Sequence, residues 1–107
     1  MTQKYDVVLD AQLGQRFGTL VLNETDGNIS GSFTLLGFDN PVSGKRVDRE
    51  LVLTHKLRTI ISTLDCETHA ELRGDELFGA VISQYSSMDL HGKKQEDGHK
   101  DEISEQN

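Results

Sequence analysis

The sequence has no tryptophan, a single cysteine, a single proline and no long apolar run. One cysteine cannot form an internal disulfide, and a membrane-spanning helix needs about 20 apolar residues. The start of the chain, Met1 to Asp6, also lacks the apolar stretch of a secretory signal. These absences predict a soluble protein of a reducing compartment. We therefore expect a cytoplasmic location and no membrane partner.

Basic residues are also scarce. The chain has 11 of them and 18 acidic residues, which gives a formal charge of −7. A negative protein is repelled by nucleic-acid phosphates and by anionic membrane surfaces, so neither is an expected partner. With 107 residues the chain is long enough for one domain that needs no metal or disulfide staple. Ten glycines beside one proline favour many short strands joined by tight turns.

The clearest pattern lies between positions 64 and 73, where small or apolar residues alternate with charged ones. Strand side chains point alternately to opposite faces, so this period of two predicts a long half-buried β-strand. The predicted inner face carries Leu64, Cys66, Thr68, Ala70 and Leu72. The preceding strand shows the same alternation, with Leu51, Leu53, His55 and Leu57 facing inward.

Other segments repeat the pattern less regularly. The pair Asp26-Gly27 predicts a tight hairpin turn. In the strand before it, Phe17 is out of step with Leu20, and we expect a β-bulge at Gly18 to restore the alternation. Residues 37–41 are predicted to form a loop, followed by a short strand over 42–47.

This arrangement of hairpins resembles the calycin group of meander barrels, which includes lipocalins and avidins. The resemblance rests on the segments Asp26–Gly31, Gly74–Gly79 and Leu90–Lys93 and extends over about residues 4–93. It implies an up-and-down antiparallel barrel whose lumen holds one small apolar molecule. The Gly-x-Trp motif of that group is absent, so no site residue is transferred.

The predicted fold is thus all-β: an antiparallel meander of seven or eight strands, closed or nearly closed, over residues 1–92. Residues 93–107 differ sharply, because they contain three lysines, five acids and the single apolar residue Ile103. Such a segment buries too little surface to offset its ordering entropy. We expect a disordered tail.

Three inward positions, His55, Cys66 and Thr68, are the candidate ligand-binding residues. A buried imidazole needs a hydrogen-bond partner or loses its proton, and in a lumen it can orient a polar group of a ligand. The alternative for His55 is a satisfied structural histidine at the barrel rim. For Cys66 it is a small core residue, because its acidic neighbours raise a thiol pKa.

No other chemistry is indicated. Glu67, His69 and Glu71 share the outer face of one strand, but a row along a flat strand does not converge on one metal ion. The sequence contains no cofactor motif and no recognisable nucleophile, base and acid set. An enzyme is therefore the least favoured class of function.

Two functional hypotheses remain. The first is a barrel that binds a small apolar ligand beside His55, Cys66 and Thr68, which requires lumen space that the inward side chains leave unfilled. The second is a structural or interaction protein that forms a homodimer through its outer face. The outward apolar residues that suggest a homodimer are Val8, Val21, Leu36, Val52, Phe78 and Ile82.

Overall fold

The structure is a computed structural model that describes residues 1–12 and 14–95. These residues form eight antiparallel strands that close into a barrel, each strand pairing with its neighbours in sequence and β1 pairing with β8. The strands are β1 Thr2–Ala11, β2 Gly14–Thr25, β3 Asn28–Leu35, β4 Phe38–Val47, β5 Glu50–Arg58, β6 Thr63–Arg73, β7 Glu76–Ser83 and β8 Ser87–Lys94. The predicted meander barrel is confirmed. In this part of the chain, no helix has the length and apolar character needed to cross a membrane.

Tight turns join the strands, and one of them lies at the predicted Asp26-Gly27 pair. Asp26 and Gly27 have φ angles of 52° and 82°, the positive values that a two-residue hairpin turn of type I′ requires. Gly74 has a φ of 61° in the turn between β6 and β7. The β5–β6 turn falls between Arg58 and Thr63. Short turns keep neighbouring strands antiparallel and produce the up-and-down order.

The inner faces of the strands make one continuous apolar core. β5 follows the alternation of exposed and buried residues along its whole length. The largest fully buried apolar side chains come from β1, β2, β3, β5 and β7 and include Tyr5, Leu9, Leu20, Phe33, Leu51, Leu53 and Leu77. Side chains therefore fill the middle of the barrel.

Two local predictions are wrong. Residues 37–41 are not a loop, because β4 begins at Phe38 and carries Pro41 within it. The register of β1 with β2 is also unbroken, so there is no bulge at Gly18. Phe17 is instead an outward side chain that is 70% exposed.

The last strand continues past the predicted end of the barrel domain at residue 92. Lys93 and Lys94 belong to β8 and pair with Asp6 and Tyr5 of β1. The backbone N–H of Gln95 then donates to the carbonyl of Lys4, over 2.8 Å. The remainder of the predicted tail, residues 96–107, lies outside the described residues.

Candidate functional site

His55 lies on the inner face of β5 and is 5% exposed. Its Nδ1 is 3.0 Å from the backbone carbonyl oxygen of Lys56, and its Nε2 is 2.7 Å from Oγ1 of Thr68. A carbonyl oxygen only accepts hydrogen bonds, so Nδ1 carries the ring proton. Nε2 is then the acceptor, and the Thr68 hydroxyl donates to it. The two contacts define the tautomer of the neutral ring.

Burial also determines the charge of this imidazole. Removal from water lowers the pKa of His55, and the hydrogen bond to the Lys56 carbonyl opposes that shift without cancelling it. Since the ordinary histidine pKa is about 6.5, the ring is neutral at pH 7.

Cys66 lies directly across from His55 in the β5–β6 register and is 5% exposed. Burial, and secondarily the negative charge of Asp65, raises the pKa of its thiol. The thiol therefore stays protonated near neutral pH and is a poor nucleophile. Its Sγ lies 3.8 Å from the carbonyl oxygen of Leu64, to which it is a weak donor.

The fold thus brings the three candidate residues together on two neighbouring strands. His55 is the partner of Cys66, and Thr68 is the next inward residue of β6. The Phe33 ring packs at 5.5 Å between centroids, tilted by 60°, against the imidazole. The result is a compact polar group in an otherwise apolar interior.

Sequence reasoning missed a further buried polar residue, Asn40, which is 1% exposed. Its Nδ2 donates to the carbonyl of Phe33 over 3.0 Å, and its Oδ1 accepts from the backbone N–H of Arg58 over 3.1 Å. The prediction of a loop at 37–41 hid it. Asn40 lies two residues before the inward Val42, and this spacing of two is the signal that would have placed Asn40 inside the barrel.

A cleft of about 210 Å³ opens at the end of the barrel nearest this polar group. It lies between the β5–β6 and β7–β8 turns and is lined by Ser62, Thr63, Leu64, Asp65, Gln84 and Tyr85. Leu64 connects it to the interior, because Leu64 is the inward residue that precedes Cys66 on β6. Ile60 and Ile61 at the nearby turn are 89% and 91% exposed.

A second cleft, about 460 Å³ in volume, lies at the opposite end among charged side chains. Its lining consists of Val47, Asp48, Arg49, Glu50 and Glu71. Next to Val47, Arg46 pairs with Glu24 at 2.8 Å. None of the three candidate residues lines either cleft.

The charged outer face of β6 is arranged in local pairs. His69 Nε2 is 2.9 Å from Glu67 Oε1, and Glu71 accepts two hydrogen bonds from Arg73. Within residues 1–12 and 14–95, no group of three or more histidine, cysteine or acidic residues has the geometry of a metal site.

Several of the outward apolar residues do not form a continuous face. Val21 lies between Lys4 and Ser32 in the strand registers. Ile82 lies opposite Glu67. Val52 lies between Lys45 and His69. Polar neighbours therefore flank these three of the six side chains that suggested a homodimer.

One row across the outer sheet is more apolar. Phe17, Val8, His91 and Phe78 are successive cross-strand neighbours on β2, β1, β8 and β7. The His91 and Phe78 rings stack with centroids 4.8 Å apart, and the Arg73 guanidinium lies 4.9 Å from the Phe78 ring centre. We call these four cross-strand residues the outer row.

Comparison with known proteins supports the fold. No protein-family model matches the sequence, and no curated protein matches it. Among solved structures, the barrel is similar to a redesigned β-barrel, mFAP1, that was solved bound to DFHBI. The match has a TM-score of 0.62 and 10% sequence identity, and covers 87% of this chain and 92% of the other. Identity this low indicates a shared fold alone.

Proposed function

We propose that this protein is a β-barrel that binds a small, mainly apolar molecule at the end of its interior occupied by His55, Cys66 and Thr68. The observation that carries the proposal is the His55–Thr68 hydrogen bond of 2.7 Å, buried inside a mainly apolar barrel. A few polar groups in a mainly apolar concave site are typical of small-molecule binding.

The chemistry of the site favours an uncharged ligand. His55 is neutral and Cys66 is protonated, so neither supplies a charge to pair with a carboxylate or an ammonium group. The buried polar residues of the described chain are Asn40, His55 and Thr68. An unpaired ion in such surroundings is strongly disfavoured.

Hydrogen-bonding capacity narrows the ligand further. The Thr68 hydroxyl uses its proton toward His55, and both ring nitrogens of His55 are occupied. The oxygen of Thr68 still has a lone pair that can accept one more hydrogen bond. The preferred ligand therefore carries a hydroxyl or amide N–H donor on an apolar frame.

Space is the main restriction. The cleft of about 210 Å³ is smaller than the ~300–1,000 Å³ of pockets for drug-sized ligands. A ligand that reaches Thr68 must also displace Leu64, which is partly buried between the cleft and Cys66. The solved mFAP1 barrel, with DFHBI bound, supports the general idea that a small barrel of this shape accommodates a compact molecule.

Native mass spectrometry tests the proposal. Protein purified from its own cells is measured folded and again after denaturation. A mass excess that disappears on denaturation supports the binding barrel and gives the ligand mass. Protein that carries no extra mass, and that gains none when incubated with a library of small uncharged alcohols, phenols and amides, contradicts it.

Variants then locate the site. His55→Ala abolishes ligand retention, and Thr68→Val, which removes the hydroxyl at nearly constant volume, weakens it at least about tenfold, the equivalent of one hydrogen bond. His69→Ala is the matched control, because His69 lies on the outer face of β6 and is paired with Glu67. Equal retention in all three variants would remove these residues from the site.

The outer row supports a second candidate function, assembly into a homodimer. Phe17 is 70% exposed within it, next to Val8 and two stacked rings. The same folded spectrum reports a dimer directly. A ligand-free dimer that Phe17→Ser converts to a monomer would favour this candidate over the binding barrel.

A further inference from the structure

The wall of the barrel is incomplete between β4 and β5 at the end near the polar group. The β4–β5 ladder runs from Val47 opposite Glu50 to Val42 opposite His55 and ends there. Proline has no N–H to donate to a ladder, and Pro41 directly precedes Val42. In the register, residues 56–58 continue as partners of β6 alone.

The β5–β6 hairpin also extends beyond its pairing with the neighbouring strand β7. The β6–β7 ladder begins at Cys66 opposite Ser83, so residues 63–65 pair with β5 alone. Across the described strand registers, residues 56–65 therefore pair only with one another. We call this segment the flap. The His55–Cys66 pair forms its base.

The flap has internal bonds that keep it together as a unit. At its turn, the Thr59 N–H donates to the Ser62 carbonyl over 2.7 Å. Across its two strands, Lys56 Nζ lies 2.7 Å from Asp65 Oδ1. A hairpin of this kind can move as one body while the ladders on either side stay intact.

Few contacts hold the flap against the barrel. Leu57 is 3% exposed and Leu64 is partly buried, and both pack into the core. The Arg58 N–H donates to the Asn40 side chain, and the Arg58 guanidinium lies 6.0 Å from the Phe38 ring centre. For the flap to open, the Arg58–Asn40 hydrogen bond, the Arg58–Phe38 contact and the packing of the two leucines must be broken.

The candidate ligand site lies directly beneath. Leu64 forms part of the 210 Å³ cleft, and the Cys66 Sγ is 3.8 Å from the Leu64 carbonyl. Outward motion of the flap withdraws Leu57 and Leu64 from the end of the barrel. The space they leave is next to the His55–Thr68 pair.

We propose that the flap, residues 56–65, opens about the His55–Cys66 pair and is the route by which the small uncharged ligand reaches the barrel interior. The proposal rests on the proposed function for the identity of what passes. Opening itself is a property of the free protein and can be measured with no ligand present.

The single cysteine provides the measurement. Cys66 is buried at the base of the flap, so a thiol reagent reaches it only when the flap opens or the whole barrel unfolds. The control is the double variant Cys66→Ala/Val7→Cys, which places the only thiol in the core of β1, where Val7 is 1% exposed. Both rates of labelling are divided by the rate of the same thiol in denaturant, which corrects for differences in thiol pKa.

We expect the normalised labelling of Cys66 to be at least about tenfold faster than that of the thiol at position 7 when the two proteins are compared at equal global stability, because local opening requires less free energy than global unfolding. Equal normalised rates would show that both thiols react only through global unfolding and would overturn the proposal.

Two leucines on β6 give a matched pair of variants. Leu64 belongs to the flap and Leu72 lies at the other end of the same strand, and both are partly buried against the core. Leu64→Ala accelerates Cys66 labelling more than Leu72→Ala does when the two are compared at equal global stability. The reverse order contradicts the flap.

The two proposals fail in distinguishable ways. Fast Cys66 labelling without any retained ligand supports the flap and contradicts the binding function. Retained ligand together with equal labelling of the two thiols leaves the binding function standing and rules out the flap as its route.

Discussion

The chemistry of single residues in this barrel is concentrated in the neutral imidazole of His55. Both of its ring nitrogens have partners, and burial lowers its pKa. The protein itself therefore satisfies the hydrogen-bonding groups of this ring. The neutral ring also suits a neutral ligand. Because the Thr68 hydroxyl donates its proton to His55, the free lone pair of the Thr68 oxygen has a defined direction. Whether the group binds a ligand is decided by the retention experiments above.

A depressed histidine pKa predicts a specific pH dependence of stability. The unfolded chain takes up a proton at His55 near pH 6.5, whereas the folded protein resists it to lower pH. The unfolded state thus binds more protons between the two pKa values, and stability falls as the pH falls below about 6.5. Above about pH 6.5 the contribution of His55 to the free energy of unfolding is constant.

The measurement is the free energy of unfolding by urea for the wild-type protein and His55→Gln between about pH 5 and pH 8. Subtracting the unfolding free energy of the variant at each pH removes the contribution of the surface acids, which is common to both proteins. The unfolding free energy of the wild-type protein minus that of His55→Gln should be constant above about pH 7. Below about pH 6.5 this difference should decline by at most ~1.4 kcal/mol per pH unit. A difference that stays constant down to pH 5 contradicts the burial of a neutral ring.

At the scale of the element, β4 differs most from its sequence-based description. Ten residues form a strand where a loop and a short strand were predicted, and Pro41 lies within it. Local propensity argued against a strand there, but pairing with β3 extends along all of 38–45. Tertiary pairing overrides propensity where the neighbouring strand supplies the hydrogen bonds.

Glycine in β4 gives a prediction about this element. Gly44 faces Leu53 in the register, and a Cβ built on it would overlap the backbone carbonyl of Val52. Backbone atoms of a paired strand cannot move aside as a flexible side chain does. Gly44→Ala should therefore destabilise the barrel by about 3 kcal/mol or more, the upper range for overpacking. The check is urea unfolding.

Ser43→Ala is the matched control, since Ser43 is an exposed neighbour on the same strand. We expect its unfolding free energy to stay within about 0.5 kcal/mol of wild type. Two variants of equal stability would show that the strands at Gly44 are not as close as the geometry indicates.

At the scale of the whole molecule, closure by β1 and β8 removes both free sheet edges, which exposed strands would otherwise offer to other chains. The contacts of closure extend beyond Gly92. Besides the β8 pairs of Lys93 and Lys94 with β1, the Lys94 N–H donates to the Asp75 carbonyl over 2.7 Å.

Two truncations test where the barrel domain ends. A chain that ends after Gln95 should unfold at the same urea concentration as the full chain, because residues 96–107 offer only Ile103 for burial. A chain that ends after Gly92 loses the last ladder pairs of β8 and should be less stable by about 1–3 kcal/mol. Equal loss in both truncations would show that residues 96–107 contribute to the fold, against the prediction of a tail.

The alternation of residue types by itself determined much of this protein. It predicted the meander, the inward face of β5 and β6, and the shared inward orientation of His55, Cys66 and Thr68, because a period of two assigns each side chain to a face without any knowledge of the partner strand. The register that places His55 opposite Cys66 comes from the tertiary structure. The tight turn at Asp26-Gly27 was equally local, since positive φ is a property of those two residues.

Tertiary structure alone decided the rest. The strand character of residues 38–41 depends on pairing with β3, and the burial of Asn40 on its bonds to Phe33 and Arg58. The partner of His55 Nε2, Thr68, likewise comes from the neighbouring strand. The flap depends on where two ladders end, which is set by the relative lengths and registers of neighbouring strands. Such features arise from pairing between segments, and one segment read alone carries no information about where its neighbour stops.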